Sequence, residues 1–469
     1  MKHIEMVIIG AGPAGISAAI EAAKSGMKVT VLDENAKTGG RIFSQLNEGL
    51  KFNDPKAHSS DFKKGTKLLT EFLANSHNIN FLSNAQVIGI FPNRELAYHQ
   101  NGKLFRIRYK GLIIATGAFE RSVPFPGWTL PGVFTAGGTQ TLIKMQGILP
   151  GKKFLLAGTG PLQLVLANQI IEAGGEVEAI LEAGKTGSWY ETMRAIWGNW
   201  NLLVDGLRYL NGIRKAKVPI LRNHLILKAS GDGQVEKAVF SKCDQDWKPI
   251  ESTSQTIEVD TICLGYGFVP SVDLSRLAGC EHQFEARLGG WIPVRDTTMM
   301  TSVPHVYSVG DGSGVAGNIV AGLEGRIAGI AAAQSFGYLS QKAAKQQQSP
   351  FLNALRKLTR FRKYLDNMSV PRPGLYELAN DKTLICRCEE INLRTIKKAI
   401  QEVKPENINE LKRTTRAGMG HCQHKMCGHA LQEIMAAQLG INPSEVGAIR
   451  PRPPIKPVPL GVFEDLERL

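Results

Sequence analysis

The stretch MVIIGAGPAGISAAIEAAKSGMKVTVLDE, residues 6–34, limits the fold of this chain more than any other part of it. An apolar run leads into glycines spaced G-x-G-x-x-G, and a second apolar run ends at two carboxylates. In such a loop the first glycine permits the turn, the second lets a pyrophosphate approach the backbone, and the third lets helix and strand pack closely. The helix N-terminus offers free N–H groups to the phosphates, and the carboxylate accepts hydrogen bonds from a ribose. The sequence therefore predicts a dinucleotide site in an α/β domain, formed by Gly10, Gly12, Pro13, Ala14, Gly15, Asp33 and Glu34.

A second copy of the pattern lies at residues 152–183, KKFLLAGTGPLQLVLANQIIEAGGEVEAILEA. Gly158 and Gly160 hold the first two glycine positions, Gln163 replaces the third, and Glu182 ends the following strand. Because the third position governs packing, we expect the fold to survive with helix and strand farther apart. No arginine closely follows Glu182, which argues against a ligand with a 2′-phosphate. NAD, ATP, an additional flavin and no ligand at all remain open for this second loop.

Four of the seven cysteines stand in two close pairs near the end of the chain. Their spacing is C-x-C, then 33 residues, then C-x4-C, which is typical of a metal site and not of a disulfide framework. Thiolates in two pairs suit either zinc or a [2Fe-2S] cluster, although zinc ribbons favour C-x2-C pairs. The predicted metal ligands are Cys386, Cys388, Cys422 and Cys427. We expect the remaining three, Cys243, Cys263 and Cys280, to be small buried apolar residues.

Composition narrows the class of protein further. The formal net charge is +14, and part of it is concentrated between Lys342 and Lys363, where seven Lys or Arg occur without an acid. Such a run is typical either of a solvated helix and linker or of a docking surface. No nucleic-acid-binding motif accompanies it, so nucleic acid is set aside. No apolar run reaches the roughly 18 residues that span a membrane, and the N-terminus lacks a cleavable leader, so we expect a cytoplasmic protein, free or peripheral to the inner membrane. No residue stands out as a general base, and no C-x-x-C pair indicates a redox-active disulfide near the first loop.

Three further segments carry a resemblance to a known superfamily. TGGR (38–41) follows the first acids, ATGA (115–118) closes an apolar strand, and TSVPHVYSVGD (301–311) ends in Gly-Asp. With the first loop these resemble the two-dinucleotide-binding flavoproteins. The resemblance implies that FAD is bound, that the Gly-Asp carboxylate holds the ribityl chain, that the ATG segment borders the nucleotide, and that a strand backbone holds the adenine. It adds to the FAD site Gly40, Arg41, Val87, Ala115, Thr116, Gly117, Gly310 and Asp311.

The cysteine segment has a resemblance of its own. CRCEE, an amphipathic helix, KRTTRAGMGHCQ and the second cysteine pair resemble the bacterioferritin-associated-ferredoxin-like [2Fe-2S] domain. The resemblance implies that the four cysteines ligate a [2Fe-2S] cluster, with zinc as the alternative. The pattern departs at His421 and His424, which are either spectators or an alternative ligand. We expect this domain and the glycine folds to have separate cores.

Nearly the whole chain is similar to one group of proteins. The order of segments, with ATGAFERSVPFPGWTLPGVFTAGG (115–138) and RKAKVPILRNH (214–224), resembles the alpha subunits of heteromeric proline and hydroxyproline dehydrogenases, opine oxidases and hydrogen cyanide synthase. This group is related to the alpha subunit of heterotetrameric sarcosine oxidase. The resemblance implies an electron-transfer subunit in a hetero-oligomer. Its partner would be a beta subunit of D-amino-acid-oxidase type carrying its own FAD, with or without a small gamma subunit. The alternative is a self-sufficient NAD(P)H-dependent flavin and iron–sulfur reductase.

These observations predict an α/β two-dinucleotide-binding-domain flavoprotein with Rossmann-like FAD and NAD(P)-like domains and a small C-terminal helical [2Fe-2S] domain. An insert near 184–220 carries Trp189, Trp197 and Trp200, which suit a core, a helical lid or a subunit-facing surface. The predicted division is 1–125 for the first part of the FAD domain, 126–280 for the NAD(P)-like domain, 281–338 for the FAD return segment, 339–378 for a basic linker, 379–440 for the [2Fe-2S] domain and 441–469 for a Pro-rich tail.

Overall fold

The computed structural model describes residues 2–43, 60–184 and 200–464. Trp189 and Trp197 of the insert lie outside these ranges. The strands, in chain order, are β1 (Lys2–Ile9), β2 (Val29–Leu32), β3 (Ile79–Leu82), β4 (Gln86–Phe91), β5 (Glu95–Gln100), β6 (Lys103–Ile114), β7 (Ala118–Glu120), β8 (Val133–Thr135), β9 (Lys153–Gly158), β10 (Glu176–Glu182), β11 (Ile220–Arg222), β12 (His224–Ser230), β13 (Lys237–Lys242), β14 (Gln255–Glu258), β15 (Thr261–Gly265), β16 (Phe268–Pro270), β17 (His282–Glu285), β18 (Gly290–Pro293), β19 (Val306–Ser308), β20 (Leu384–Cys386) and β21 (Ile391–Asn392).

The helices surround these strands. In chain order they are α1 (Pro13–Lys24), α2 (Ser60–Ala74), α3 (Ala136–Gln146), α4 (Leu162–Glu172), α5 (Trp200–Lys215), α6 (Asp273–Leu277), α7 (Asn318–Ser335), α8 (Gln341–Ser369), α9 (Leu393–Val403), α10 (Ile408–Thr415), α11 (Gly428–Leu439) and α12 (Pro443–Val446). Within the described ranges, no helix combines the length and apolar character that crossing a membrane requires.

The larger sheet has the strand order β3-β2-β1-β6-β5-β4, and β19 also pairs with β6. β1 pairs in parallel with β2 and β6, and β19 pairs in parallel with β6. The carboxyl ends of β1, β6 and β19 therefore meet at one edge of the sheet. Ligands of open α/β sheets bind at this edge, so the first glycine loop, the ATG segment and the Gly-Asp segment converge there.

The second sheet has the order β11-β10-β9-β15-β8, and its neighbouring strands run parallel. The second glycine loop joins β9 to α4 at its carboxyl edge. The predicted class, with two Rossmann-like folds followed by a small mainly helical domain, is confirmed. The domain limits stay predictions.

The cysteine domain does not have a core of its own, so the expectation of separate cores is wrong. One continuous apolar cluster contains Leu155 and Leu181 of the second sheet together with Ile385, Leu411 and Leu431 of the cysteine domain. Trp128 also donates a 2.7 Å hydrogen bond to the carbonyl of Leu384. Amphipathic helices can bury their apolar face against any apolar surface, and here the nearest one belongs to the neighbouring sheet.

The region 339–378, predicted as a basic linker, is largely the helix α8. Ser340 caps it by accepting from the Ala343 N–H, and Phe351, Leu352 and Leu355 pack against the core beneath α1 and α7. This long helix therefore lies on the fold built around the larger sheet, which we call the flavin-type fold.

Candidate cofactor sites

Of the three glycines in the first loop, Gly12 is the one at which the protein itself has room for a Cβ atom. Gly10 has φ +101°, and a Cβ there would lie 2.3 Å from the Ala115 carbonyl oxygen. A Cβ at Gly15 would lie 1.8 Å from the Gly10 carbonyl oxygen. A Cβ at Gly12 would find only the Gly40 Cα, at 3.8 Å, and Gly12 has an ordinary φ of −80°. The protein therefore leaves an open cradle at Gly12, which fits a dinucleotide pyrophosphate close to the backbone.

The two acids after β2 have different roles. Asp33 is buried, and its carboxylate accepts hydrogen bonds from the Ala11 N–H at 2.5 Å and the Asn35 N–H at 2.7 Å. It thereby ties the end of β2 to the glycine loop. Glu34 is exposed and forms an ion pair with Lys456, far along the chain.

The Gly-Asp segment after β19 lies against the start of α1. Gly310 has φ +71°, and a Cβ there would lie 2.9 Å from the Ala14 Cβ. The Asp311 carboxylate accepts from the Ala316 and Gly317 N–H groups, each at 2.9 Å, through Oδ1 in both cases. Neither of these hydrogen bonds uses Oδ2, the oxygen for which the predicted contact with a ribityl hydroxyl stays a prediction.

The ATG segment lies between these two parts of the edge. Ala115 follows β6 directly, and its N–H donates to the Ile9 carbonyl at 2.8 Å. Thr116 donates to the Ser271 carbonyl at 2.8 Å, and the Ser271 N–H donates back to Gly117 at 2.9 Å. The segment is thus held from both sides, at the point where the chain leaves the first sheet.

The remaining predicted FAD residues flank this edge. Gly40 has φ +61° and approaches so closely that a Cβ would lie 2.8 Å from the Gly12 Cα. Arg41, next to it, is exposed. Val87 is buried in β4, in the same apolar cluster as Leu32. The structure brings these residues to one edge of the sheet, and their individual contacts with FAD stay predictions.

The second glycine loop is covered by protein. Gly160 has φ +88°, and a Cβ there would lie 3.2 Å from the Ser369 hydroxyl, at the end of α8. Gln163 is buried, and its amide donates to the Leu181 carbonyl at 3.4 Å. A Cβ at Gly184 would lie 2.9 Å from the Met368 carbonyl oxygen. The end of α8 therefore occupies space directly over this loop.

Glu182 is turned toward its own loop. Its carboxylate accepts from the Gly160 N–H at 3.2 Å and from the Gly184 N–H at 2.9 Å. Burial raises the pKa of Glu182 above its ordinary range. Glu182 thereby ties the end of β10 to the second glycine loop, as Asp33 does at the first loop.

The four cysteines come together as an inner and an outer pair. Cys386 and Cys427 are buried, whereas Cys388 and Cys422 are partly exposed. The Gly418 N–H donates to the Cys386 Sγ at 3.4 Å. Cys427 is the N-cap of α11, and its side chain makes no capping hydrogen bond.

The thiols also change one another's pKa values. A hydrogen bond from Cys427 lowers the pKa of Cys386 to about 6. Burial raises the pKa of Cys422 to about 11, and the neighbouring Cys388 adds to this rise. The pKa of Cys427 lies well above its ordinary value because of Cys386 first and burial second. Binding of metal would therefore release protons from this site.

The donor set fits a [2Fe-2S] cluster. Such clusters are held by four cysteine thiolates, and here four thiols lie together with backbone N–H groups beside them. Close glycines complete the pocket, since a Cβ at Gly420 would lie 2.4 Å from the Cys388 Cβ.

The two histidines that depart from the pattern point in different directions. His421 is exposed, with Nε2 3.7 Å from the Cys388 Sγ. His424 instead contacts the buried Asp273 of α6 at 3.4 Å. Lys425 binds the same carboxylate at 3.0 Å. Leu274, the residue after Asp273, packs in the apolar cluster of the larger sheet, so the cysteine loop is fastened to the flavin-type fold.

A buried polar group connects the two folds at a second place. Arg121, just after β7, donates to the Tyr376 hydroxyl at 3.0 Å and to the Gly289 carbonyl at 3.4 Å. The Tyr376 ring packs edge-on against His429 of α11, with centroids 5.8 Å apart. Burial first, and Arg121 second, hold the pKa of His429 well below its ordinary value. Lys425, Asp273, Arg121 and Lys456 were not predicted as site residues, because no local motif marks them.

Comparison with known families gives two matches. Residues 4–337 match the family described as pyridine nucleotide-disulphide oxidoreductase. Residues 384–437 match the BFD-like [2Fe-2S] binding domain. The first match indicates FAD, and the second indicates a [2Fe-2S] cluster.

Individual relatives match over nearly the whole chain. Hydrogen cyanide synthase subunit HcnB of Pseudomonas aeruginosa is 32% identical over 99% of each chain. One subunit of the opine oxidase of Rhizobium meliloti is 33% identical over 99% of this chain and 88% of its own. The L-proline dehydrogenase of P. horikoshii has a similar fold, with a TM-score of 0.72, 20% identity, and coverage of 98% of this chain and 79% of its own.

Proposed function

The chain belongs to the pyridine nucleotide-disulphide oxidoreductase family, and from that premise we propose that it is the FAD- and [2Fe-2S]-carrying electron-transfer subunit of a heteromeric dehydrogenase for an amino acid or opine. The two relatives at 32% and 33% identity are each named as one subunit of a larger enzyme. In this proposal a beta subunit of D-amino-acid-oxidase type, with its own FAD, oxidises the C–N bond. The present chain accepts the electrons that this oxidation releases.

The observation that carries the proposal is the attachment of the cysteine domain to both glycine folds, through a shared core with the second sheet and through α6, whose Leu274 packs in the core of the first sheet. Cys386 and Cys427, the inner cysteines, belong to the same apolar cluster as the second sheet. Lys425–Asp273 and Arg121–Tyr376 fix the cysteine domain from two sides. FAD would supply two-electron chemistry and the cluster one-electron transfer. Holding both on one body is what a relay requires.

The residues of this chain have positioning roles in the proposal. Gly12 and the start of α1 would receive the pyrophosphate, Asp311 the ribityl chain, and the four cysteines the cluster. The outer pair, Cys388 and Cys422, lies on the partly exposed side, where electrons would leave toward an acceptor.

A reductase driven by NAD(P)H is the second candidate. Gly158, Gly160 and the acid Glu182 at the strand end favour it, because they keep much of a dinucleotide loop. The end of α8 over Gly160 opposes it. We therefore expect the second loop to take no part in hydride transfer.

The test compares two electron donors. The chain would be purified with its natural partner and mixed anaerobically with NADH or with single amino acids, proline and opines included, while flavin absorbance is followed. We expect bleaching by one amino acid or opine and none by NADH within the same time. Rapid bleaching by NADH in the chain without a partner would support the reductase instead.

A variant tests the relay itself. In the complex, Cys422→Ser should leave reduction of the partner's flavin by substrate intact and abolish steady-state electron delivery. Lys397→Met, which removes a surface ion pair with Asp381 in the same domain, is the control. Turnover of Cys422→Ser at the wild-type rate would remove the cluster from the electron path.

A further inference from the structure

The C-terminal segment, residues 448–463, crosses from the cysteine domain to the flavin-type fold, and we call it the strap. At its start, Ile449 packs beside the cysteine loop, because a Cβ at Gly418 would lie 3.3 Å from its Cδ1. The Asn409 side chain holds the strap on both sides, through the Ala448 carbonyl at 3.0 Å and the Arg450 N–H at 2.9 Å. The strap therefore begins as part of the cysteine domain.

Farther along, the strap is built into the flavin-type fold. A Cβ at Gly89 would lie 2.8 Å from the Pro453 side chain, so β4 and the strap are in direct contact. Ile455 is buried in the apolar cluster of Leu32 and Val87. Val462 closes a small cluster on the other face of β4 and β5.

Two neighbouring residues of the strap contact both candidate cofactor sites. The Ile455 carbonyl accepts a 3.1 Å hydrogen bond from Lys425, the cysteine-loop lysine that also binds Asp273. The Ile455 N–H donates to the Ile88 carbonyl of β4 at 2.9 Å. The next residue, Lys456, forms the ion pair with Glu34 at the end of β2.

The positive charge of Lys456 lies beside the first glycine loop, where it would affect the binding of a dinucleotide. An unpaired carboxylate at Glu34, beside the first glycine loop, would repel the negative diphosphate of a bound dinucleotide. Lys456 neutralises that carboxylate and brings a positive charge to the same edge. Its backbone is held in place by Ile455, so the cost of ordering the lysine is reduced.

We propose that the strap couples the two cofactor sites, so that an intact cysteine-loop structure strengthens FAD binding at the first glycine loop. With the cluster in place, the loop that carries Lys425 is ordered, the strap is held at Ile455, and Lys456 stays on Glu34. Linkage requires the converse as well, so bound FAD favours retention of the cluster. The inference rests on the proposed function only in placing FAD at the first loop and the cluster at the four cysteines.

The first measurement is the Kd for FAD, from quenching of flavin fluorescence, in deflavinated full-length protein with its iron retained and after its iron is removed. We expect the Kd to rise by up to about 5-fold on loss of the cluster, because a coupling carried by the Lys456–Glu34 pair cannot exceed what that exposed ion pair contributes. Lys456→Met should raise the Kd about 3- to 5-fold with iron present, in line with an exposed ion pair. Lys397→Met is a matched control, because its pair with Asp381 has side-chain exposures of 37% and 48%, against 34% and 41% for Lys456 and Glu34.

A double-variant comparison separates coupling from general damage. Lys425→Met should also raise the Kd, and Lys425→Met combined with Lys456→Met should raise it less than the product of the two single effects. Iron content and visible circular dichroism report on the cluster independently of activity. In Lys456→Met, where the cysteine loop is unaltered, removal of iron should change the Kd for FAD less than in the wild type.

An equal Kd with and without the cluster, or strictly multiplicative effects of the two lysine variants, would overturn the coupling. Either result leaves the proposed function standing, because FAD and iron are still bound. Absence of FAD or of iron from the wild-type protein would instead defeat the proposed function.

Discussion

Replacing Gly12 by alanine separates what the fold needs from what the cofactor needs. The backbone of Gly12 has φ −80°, which alanine adopts freely, and the nearest atom to its Cβ would be 3.8 Å away. As the residue preceding α1, an alanine should lower the free energy of unfolding by less than about 1 kcal/mol. The apoprotein should therefore fold almost normally.

FAD binding should respond much more strongly. The new methyl group would stand where the pyrophosphate approaches the loop, and each lost hydrogen bond to a charged phosphate costs about 1.5–3 kcal/mol. That cost corresponds to a roughly 10- to 150-fold higher Kd per bond. The assays are urea unfolding of the deflavinated protein and fluorescence titration with FAD.

Two other glycines provide control variants for Gly12→Ala. Gly15→Ala should prevent normal folding, because its Cβ would lie 1.8 Å from the Gly10 carbonyl oxygen. Gly206→Ala, in α5 where a Cβ meets nothing within 4 Å, should leave the FAD affinity unchanged and raise the free energy of unfolding by about 0.5–1 kcal/mol through helix propensity. Wild-type FAD affinity in Gly12→Ala would refute the cradle. If Gly12→Ala lowered the free energy of unfolding by more than about 2 kcal/mol, Gly12 would instead be required by the fold itself.

Asp311→Ala should raise the Kd for FAD by about 10- to 150-fold, the equivalent of about 1.5–3 kcal/mol, and Asp311→Asn should recover part of the lost affinity. Unchanged affinity of Asp311→Ala in a fluorescence titration would show that another acid holds the ribityl chain. Replacing any one of Cys386, Cys388, Cys422 or Cys427 by Ser should lower the iron content from about two per chain and remove the visible absorbance shoulder beyond the flavin bands. His424→Ala should keep both the iron and the shoulder. Stoichiometric zinc in anaerobically prepared protein would contradict the cluster. Burial raises the pKa of Asp366 from 3.8 to about 6, so the folded chain binds more protons than the unfolded chain in that window and stability should fall as pH rises through it. Asp366→Asn should flatten that part of the thermal-unfolding profile, and an equal slope in the variant would show that another group is responsible.

The parts of the molecule that sequence predicts well are those in which neighbouring residues meet the same ligand. The first glycine loop needs a strand, a turn and a helix within a few residues of one another, so its pattern indicates its structure. Cys386 and Cys388 likewise stand together in the chain, as do Cys422 and Cys427, and the resemblance joins the two pairs. The fold class and the two cofactors follow from these local patterns.

Contacts between distant segments could not be predicted in the same way. Glu34 and Lys456 are separated by 422 residues, and nothing in a Pro-rich tail indicates that it pairs with β4. The apolar face of α11 predicts that Leu431 is buried, but periodicity does not say against what. The expectation of separate cores failed for this reason, since side chains such as Ile385 complete the neighbouring core instead of forming their own.

The two glycine loops show how one pattern can give two different sites. At Gly12 the neighbouring chain is Gly40, which leaves space beside the backbone, whereas at Gly160 it is Ser369 of α8, which fills that space. Neither neighbour belongs to the G-x-G-x-x-G pattern, so the pattern alone could not distinguish an open loop from a covered one. Within the pattern, Gln163 indicated that the second loop differs from the first, because a side chain at the third glycine position alters how α4 packs on the sheet. A basic helix predicted as a linker thus determines which of the two loops is open to a dinucleotide.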